Sequence, residues 1–357
     1  MKILFKNHTA DELHGRLAGL GASLRVARQF QAAVLRRDAM PAALSNVSDR
    51  LGARIREAAD VPHLRRLEKA VSPQDGFAKY LFLGDGPDPF EAVRIPLMHR
   101  PGDRKYVVCV SSQVGCALGC RFCTTGRMGY RRDLATWEIV DQVVKIQADS
   151  PHPVRGVVFM GMGEPLLNYD AVMRAARILS EPCGLAIAAK AITIATAGIV
   201  PGIRRLTAER LPYRLMVSLT AAEPARRREL MPVEDAYPTA DLMGALREYH
   251  AVTGRRVILA WTLIAGFNTR DADARALADL TRGLPVKIDL VDVNDPSGQF
   301  LPPAPAELDA FRDALRARLG MPVARRYSGG RDIAAACGML AGRYCGTCAP
   351  LEDAVHG

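Results

Sequence analysis

The chain has 357 residues, 49% of them hydrophobic, with 48 Lys+Arg against 38 Asp+Glu and a formal net charge of +10. A hydrophobic fraction near half supports a packed core and excludes a disordered chain, and the length fits one large α/β domain with an appendage. No apolar run approaches the ~18 residues of a membrane span, and the apolar stretch in Met1-Lys2-Ile3-Leu4-Phe5-Lys6 is too short for a signal peptide, so a soluble, cytoplasmic protein is expected.

Residues 1–72 read as helical. Leu13, Leu17, Leu20 and Leu24 recur at helical spacing, as do Phe30, Val34 and Leu35. Thr9-Ala10-Asp11-Glu12 has the form of a capping box that would start the first helix. Between Met1 and Ala70, 13 Lys/Arg face 7 Asp/Glu, so more than half of the excess charge lies in the first fifth of the chain. Such a front is either a solvated helical bundle or a module that docks on nucleic acid.

The pattern then turns to strands. Residues 78–83 alternate, Gly84-Asp85-Gly86 supplies a turn, and 91–96 and 106–110 follow as a hairpin or sheet leading into the main domain. Beyond it, short apolar strands at 106–111, 155–160, 190–195, 213–219, 256–264 and 286–291 alternate with amphipathic helices at 135–149, 169–180, 238–253, 270–282 and 305–319. Six βα repeats predict a parallel sheet, open or curled into a partial barrel, with its site at the carboxyl ends of the strands.

Eight cysteines lie at 109, 116, 120, 123, 183, 337, 345 and 348. Crowding of this kind in a cytoplasmic chain points to metal or redox chemistry rather than disulfides. The densest group is Cys116-Ala-Leu-Gly-Cys120-Arg-Phe-Cys123, on the loop after the first strand of the repeat series. A structural zinc site needs a fourth ligand, which is absent nearby. A cubane iron–sulfur cluster held by three cysteines leaves one iron open to bind something else. After the second strand comes Gly161-Met162-Gly163-Glu164-Pro165. There the glycines permit close backbone approach, and the carboxylate suits an ammonium group.

The spacing Cys-x₃-Cys-x₂-Cys, with Phe122 before the last cysteine, resembles the signature of the radical S-adenosylmethionine (SAM) superfamily. The resemblance implies a 4Fe-4S cluster on Cys116, Cys120 and Cys123, whose open iron chelates the amino and carboxylate groups of SAM. It also implies reductive cleavage of SAM to methionine and a 5′-deoxyadenosyl radical. Three segments narrow the match: Cys109-Val-Ser-Ser-Gln-Val-Gly-Cys116-Ala-Leu, Gly161-Met-Gly-Glu-Pro-Leu-Leu-Asn168 and Asp332-Ile-Ala-Ala-Ala-Cys337-Gly-Met-Leu-Ala-Gly342. From about Phe77 to Arg343 the chain resembles the RNA adenine methylases RlmN and Cfr, and its basic front resembles that family's accessory domain more loosely.

The fold so implied is α/β, a partial (β/α)6 radical SAM barrel with a small N-terminal helical accessory domain and a short β extension. Residues 1–75 would be the RNA-docking domain, 76–104 a β-hairpin extension, 105–345 the barrel and 346–357 a tail. The family's chemistry loads a methyl group from one SAM onto a cysteine, here Cys337, because a thiolate is nucleophilic enough for that transfer. The radical from a second SAM abstracts hydrogen from that methyl, and the resulting carbon radical adds to carbon 2 or carbon 8 of adenine. By the match Glu91 accepts the ring proton, and Cys109 resolves the adduct through a transient disulfide with Cys337. Taken alone, Glu91 reads as a solvated strand carboxylate. Gly163, Glu164, Ser218, Leu219 and Asn294 match the family's SAM-contacting set.

The implied partners are 23S ribosomal or transfer RNA and an external electron donor such as flavodoxin or ferredoxin, with no membrane and a monomeric protein. Three positions depart from the family: Ala195 replaces a serine, Thr220 replaces the histidine after Ser218-Leu219, and Met339 replaces the glutamine after Cys337-Gly338. These leave open a radical SAM enzyme with another substrate; a non-catalytic, metal-stabilised RNA-binding protein is the further alternative. Cys345-Gly-Thr-Cys348 has no family counterpart and reads either as two free tail thiols or as a pair that re-reduces the Cys109–Cys337 disulfide. Cys183 reads as an ordinary buried thiol.

Overall fold

In a computed structural model, which describes residues 2–97 and 104–341, the helical front starts at the capping box. Thr9 Oγ1 accepts from the Glu12 amide at 3.3 Å, and Glu12 Oε2 accepts from the Thr9 amide at 2.8 Å. This opens α1 (Ala10–Leu17). Gly21, at φ +86°, breaks the leucine series, so Leu24 begins α2 (Leu24–Arg37) instead of continuing the first helix. After α3 (Asp49–Ala58) the chain is extended, which corrects the helical expectation up to residue 72. Residues 65–71 lack an apolar helical stripe and pair instead, as β1 (Arg65–Val71), with the strand beyond the Gly76 turn. Phe5, Leu13, Leu17, Phe30, Val34 and Ile55 form the front's own buried cluster, each large side chain contributing about 2 kcal/mol.

One ten-stranded sheet runs through the rest in strict sequence order. Its members are β1, β2 (Ala78–Leu83), β3 (Phe90–Leu97), β4 (Lys105–Val110), β5 (Val154–Phe159), β6 (Ile192–Thr196), β7 (Arg214–Ser218), β8 (Val257–Leu263), β9 (Val286–Asp292) and β10 (Val323–Arg326). The first four pair antiparallel, and β4 to β10 are parallel. Helices α4 (Thr136–Ala148), α5 (Tyr169–Ser180), α6 (Val200–Ala208), α7 (Thr239–Thr253), α8 (Asp271–Leu280) and α9 (Pro305–Leu319) fill the crossovers in turn. The six expected strands and five expected helices all form. Helix α6 and strand β10 are additional. Pro201 occupies the first turn of α6, where its missing N–H is harmless. Gly202 lies against Leu166, with no room for a Cβ (2.8 Å).

The sheet curls. One cavity of about 90 Å³ is lined both by Val93 and Ile95 of β3 and by Val291 of β9 and Arg326 of β10, strands far apart in the sheet order. Asp75, in the turn between β1 and β2, accepts from Tyr327 Oη at 2.9 Å and from the Gly330 amide at 2.8 Å, joining the two ends of the sheet.

The front is tied to the barrel by a buried ion cluster. Lys6 Nζ lies 2.5 Å from both Asp38 and Asp141, the latter on α4, and Lys145 of α4 pairs with the other oxygen of Asp38. Asp38, His63 and Asp141 come close enough together to ligate a metal, but the Lys6 ammonium already contacts all three and supplies the positive charge. Among the described residues no helix is long and apolar enough to cross a membrane.

Candidate active site

From the carboxyl end of β4 the chain enters a two-stranded hairpin, Gln113–Gly115 against Tyr130–Asp133. The three-cysteine loop hangs between these strands. The Cys116 amide donates to the Gly129 carbonyl at 3.0 Å, and the Cys123 amide to the Cys120 carbonyl at 3.1 Å. Burial pushes the Cys116 thiol up to about 12 and raises Cys120 and Cys123 as well, with Cys123 and Cys116 adding to the effect at Cys120. Such thiols ionise readily only beside a strong cation, and iron ligation supplies one. Ligands of one zinc ion stand about 3.8 Å apart. Among the described residues the three thiols are not part of any ligand set converging within 4.8 Å. A polynuclear cluster, whose thiolates bind separate irons, fits that wider spacing.

The turn after β5 packs tightly on the end of β4 and the first strand of the hairpin. A Cβ on Gly161 would lie 2.6 Å from the Val110 carbonyl, and one on Gly163, which adopts φ +96°, 2.5 Å from Gln113 Cβ. Only glycine satisfies both constraints. Glu164 is buried, its carboxylate accepting from the Leu166 amide at 3.0 Å and the Ala197 amide at 2.8 Å. Burial outweighs those bonds and pushes its pKa up to about 7. Ser218 closes β7, and the amide of buried Leu219 donates to Ala260 at 3.0 Å. Asn294, two residues past β9, donates from Nδ2 to Ser328 Oγ at 2.9 Å and to the Cys337 carbonyl at 3.3 Å. Its Oδ1 is buried without a hydrogen-bond partner among the described residues, an acceptor suited to a bound ligand's donor.

The Cys337 segment is held from several sides. Its amide donates to Ser328 Oγ at 3.3 Å. The Gly338 carbonyl accepts from the Thr124 amide at 2.8 Å, and the Leu340 carbonyl accepts from Thr125 Oγ1 at 2.7 Å. Cys109, Cys123 and Cys337, from three separate stretches, therefore line one cavity together with Met160, Gly161 and Arg326. Cys109 and Cys337 are free thiols. Burial first, and then the neighbouring Cys337, push Cys109 up to about 12, against the pull of Arg326. Cys116, Cys120, Gly163, Glu164, Ser218, Leu219 and Asn294 lie outside the cavity lining.

Glu91 is not a solvated carboxylate, because it is 1% exposed. It pairs with Lys79 at 3.0 Å, and Oε2 accepts from the Ala341 amide at 2.7 Å. Strand alternation puts it on the same face of β3 as the cavity-lining Val93 and Ile95. Sequence reasoning missed Lys79, Ser328, Thr125 and Arg326. Lys79 stands in the alternating run 78–83, opposite Val93 on the next strand and so a diagonal neighbour of Glu91 on the same face. Ser328 and Arg326 precede Cys337 in a stretch without periodic signal.

At the departures, Ala195 packs with Met216 and Ala260 in an apolar patch beside Met160, which presents carbon where a serine would present a hydroxyl. Thr220 is fully buried at φ +63°. Met339 is half-buried. Cys183 is half-buried rather than buried and donates to Gln31 Oε1 at 3.2 Å. Cys345 and Cys348 lie outside the described residues.

The chain is similar to known proteins over most of its length. The model of the radical SAM superfamily matches residues 110–279. A probable RNA methyltransferase of Myxococcus xanthus (strain DK1622) is 48% identical over 97% of this chain and 96% of its own length. The dual-specificity RNA methyltransferase RlmN of Syntrophobacter fumaroxidans (strain DSM 10017 / MPOB) is 41% identical over 96% of this chain and 99% of its own. The crystal structure of a radical SAM methyltransferase from Sphaerobacter thermophilus superposes with a TM-score of 0.86 at 37% identity, covering 96% of this chain and all of that one.

Proposed function

The chain belongs to the radical SAM RNA methyltransferase family that includes RlmN, and on that premise we propose that it methylates carbon 2 or carbon 8 of an adenine in 23S ribosomal or transfer RNA through an S-methylcysteine at Cys337. The observation that carries this reading is the convergence of Cys109, Cys337 and the cluster-loop Cys123 on one cavity.

Cys116, Cys120 and Cys123 would hold the 4Fe-4S cluster, which with SAM supplies a 5′-deoxyadenosyl radical on reduction. Gly163, Glu164, Ser218, Leu219 and Asn294 would bind SAM, Glu164 accepting an N–H from its amino group and Asn294 offering the unpartnered Oδ1. Two SAM molecules would be used per turnover: the Cys337 thiolate would take the methyl group of the first, expelling S-adenosylhomocysteine, and the second would supply the radical chemistry that activates that methyl.

Adenine ring carbons are poor nucleophiles, so the methyl must be delivered as a carbon radical from Cys337 Sγ. Glu91, fixed by Lys79 and by the Ala341 amide, then takes the proton from the substituted ring carbon. Cys109 Sγ attacks Cys337 Sγ, forming the S–S bond and breaking the bond from Cys337 Sγ to the adduct carbon. The expelled carbon takes a proton and becomes the methyl group of the base, and the one electron that the odd-electron adduct must lose would be accepted by the cluster held on Cys116, Cys120 and Cys123. An external donor such as a flavodoxin or ferredoxin would supply the electrons that reduce the cluster and the Cys109–Cys337 disulfide. Residues 1–75 would dock the RNA, with the exposed Arg25, Arg28, Arg36, Arg37 and Arg54 facing phosphate, and the barrel works as a monomer.

The test is anaerobic reconstitution with iron and sulfide, followed by incubation with SAM, reductant and total RNA. Methyl on the Cys337 peptide and methyladenosine in RNA are expected, and Cys337→Ala should abolish both. Deoxyadenosine formation with unmodified RNA would point to another substrate and overturn the reading.

A further inference from the structure

Tyr327 lines the cavity that holds Cys109 and Cys337, yet it is 74% exposed, more than any other large hydrophobic side chain among the described residues. It therefore stands at the mouth. An exposed aromatic ring is ordinarily free to swing, but this one is fixed at its edge and its tip. It meets Phe77 edge-on with centroids 6.0 Å apart, and its hydroxyl donates to Asp75 at 2.9 Å. The backbone behind it is equally confined, since a Cβ on Gly329 would lie 2.4 Å from the Asp75 carboxylate. A side chain held in this way leaves ring surface open to solvent in a set orientation.

The flanking charges are of both signs, Asp75 on the ring hydroxyl and two exposed arginines nearby. Arg325 and Arg331, 55% and 51% exposed, both bind the same oxygen of Asp292, at 2.8 and 3.3 Å. Two guanidinium groups share this one carboxylate, so each keeps N–H donors that a phosphate can take. An oriented aromatic face flanked by arginines is the arrangement that binds single-stranded nucleic acid, with bases stacking and phosphates paired. A base that must reach Cys337 has to leave its own stack, and a replacement stacking partner at the mouth lowers the cost of that step.

We propose that Tyr327 is a stacking platform for an unpaired base of the RNA substrate, with Arg325 and Arg331 meeting the adjoining phosphates. The proposal rests on the RNA-methyltransferase reading above and adds a substrate contact at its entrance.

The test is equilibrium binding of the reconstituted holoenzyme to a labelled ten-adenosine RNA and to the matching abasic ribose-phosphate strand, over a range of salt, with thermal melting as the control for folding. Tyr327→Ala should weaken binding of the adenosine strand roughly ten- to a hundred-fold. Binding of the abasic strand and the salt dependence should stay unchanged. Tyr327→Trp should bind as well as the parent, because it keeps a stacking face without the tyrosine hydroxyl. Replacing Arg325 and Arg331 by alanine should weaken both strands and reduce the salt slope by about two. The proposal fails if Tyr327→Ala binds the adenosine strand normally, if it weakens both strands alike, or if Tyr327→Trp loses as much as Tyr327→Ala. A parent protein that binds neither strand would sink the RNA reading itself, and this proposal with it.

Discussion

The Thr124 amide donates to the Gly338 carbonyl at 2.8 Å, so Cys123 and Cys337 each adjoin one end of a single hydrogen bond. A cluster ligand and the proposed methyl carrier are thereby held together by main chain, independently of side-chain rotamers. Chemistry that hands a methyl group between neighbouring centres depends on such fixed distances.

Ser328 extends this restraint, since its Oγ accepts from both the Cys337 amide and Asn294. Ser328→Ala leaves the Cys337 amide without this acceptor, while the Asn294 amide keeps the Asp292 and Cys337 carbonyls, and should cost about 1–2 kcal/mol of local order. Methyl loading of Cys337, followed by peptide mass, should slow about tenfold while reductive cleavage of SAM persists. Loading at the parental rate would show that the segment is positioned by other contacts.

Lys6 holds the front to the barrel. Lys6→Met leaves the buried Asp141 carboxylate without its cation and should lower stability by about 3–5 kcal/mol in urea unfolding. Adding Asp141→Asn should recover part of that loss by removing the stranded charge. A neutral effect of Lys6→Met would mean that the seam contributes nothing.

The βα repeats were legible because their strands are apolar runs and their helices keep a 3.6-residue period. The Thr9 box was legible because capping is local. Helix α6 was hidden by Pro201 and Gly202, whose tolerance depends on a first-turn position and on contact with Leu166. Strand β1 was misread because its pairing with β2 is a tertiary fact that overrides propensity. In the site, the cysteine loop and the Gly161–Glu164 turn declared themselves by residue type and spacing. The meeting of Cys109 with Cys337 could be anticipated only through family resemblance, since no spacing rule joins residues so far apart. The burial of Glu91 depends on Lys79 and Ala341, and neither signals it in the sequence.

Glu164 makes SAM binding depend on pH. Burial raises its pKa from an ordinary 4.5 to about 7, so between those values the folded protein holds a proton that the unfolded chain has lost. Ligand-free stability from this group therefore falls as pH rises across that window. An amino group that donates N–H prefers the carboxylate to the neutral acid, so the affinity of the reconstituted protein for SAM should rise with pH up to about 7 and then level off. Glu164→Gln should weaken binding and flatten the profile. A parental profile in Glu164→Gln would assign the SAM amino group to another partner.

The most direct test of the central claim is the fate of RNA on Cys109→Ala. Without the thiol that attacks Cys337 Sγ, the adduct has no route to release. The reconstituted variant, given SAM, reductant and RNA, should accumulate protein covalently joined to RNA through a methylene on Cys337, seen as a nuclease-sensitive band and mapped by peptide mass. Free methylated RNA formed at the parental rate, with no joined species, would contradict the account.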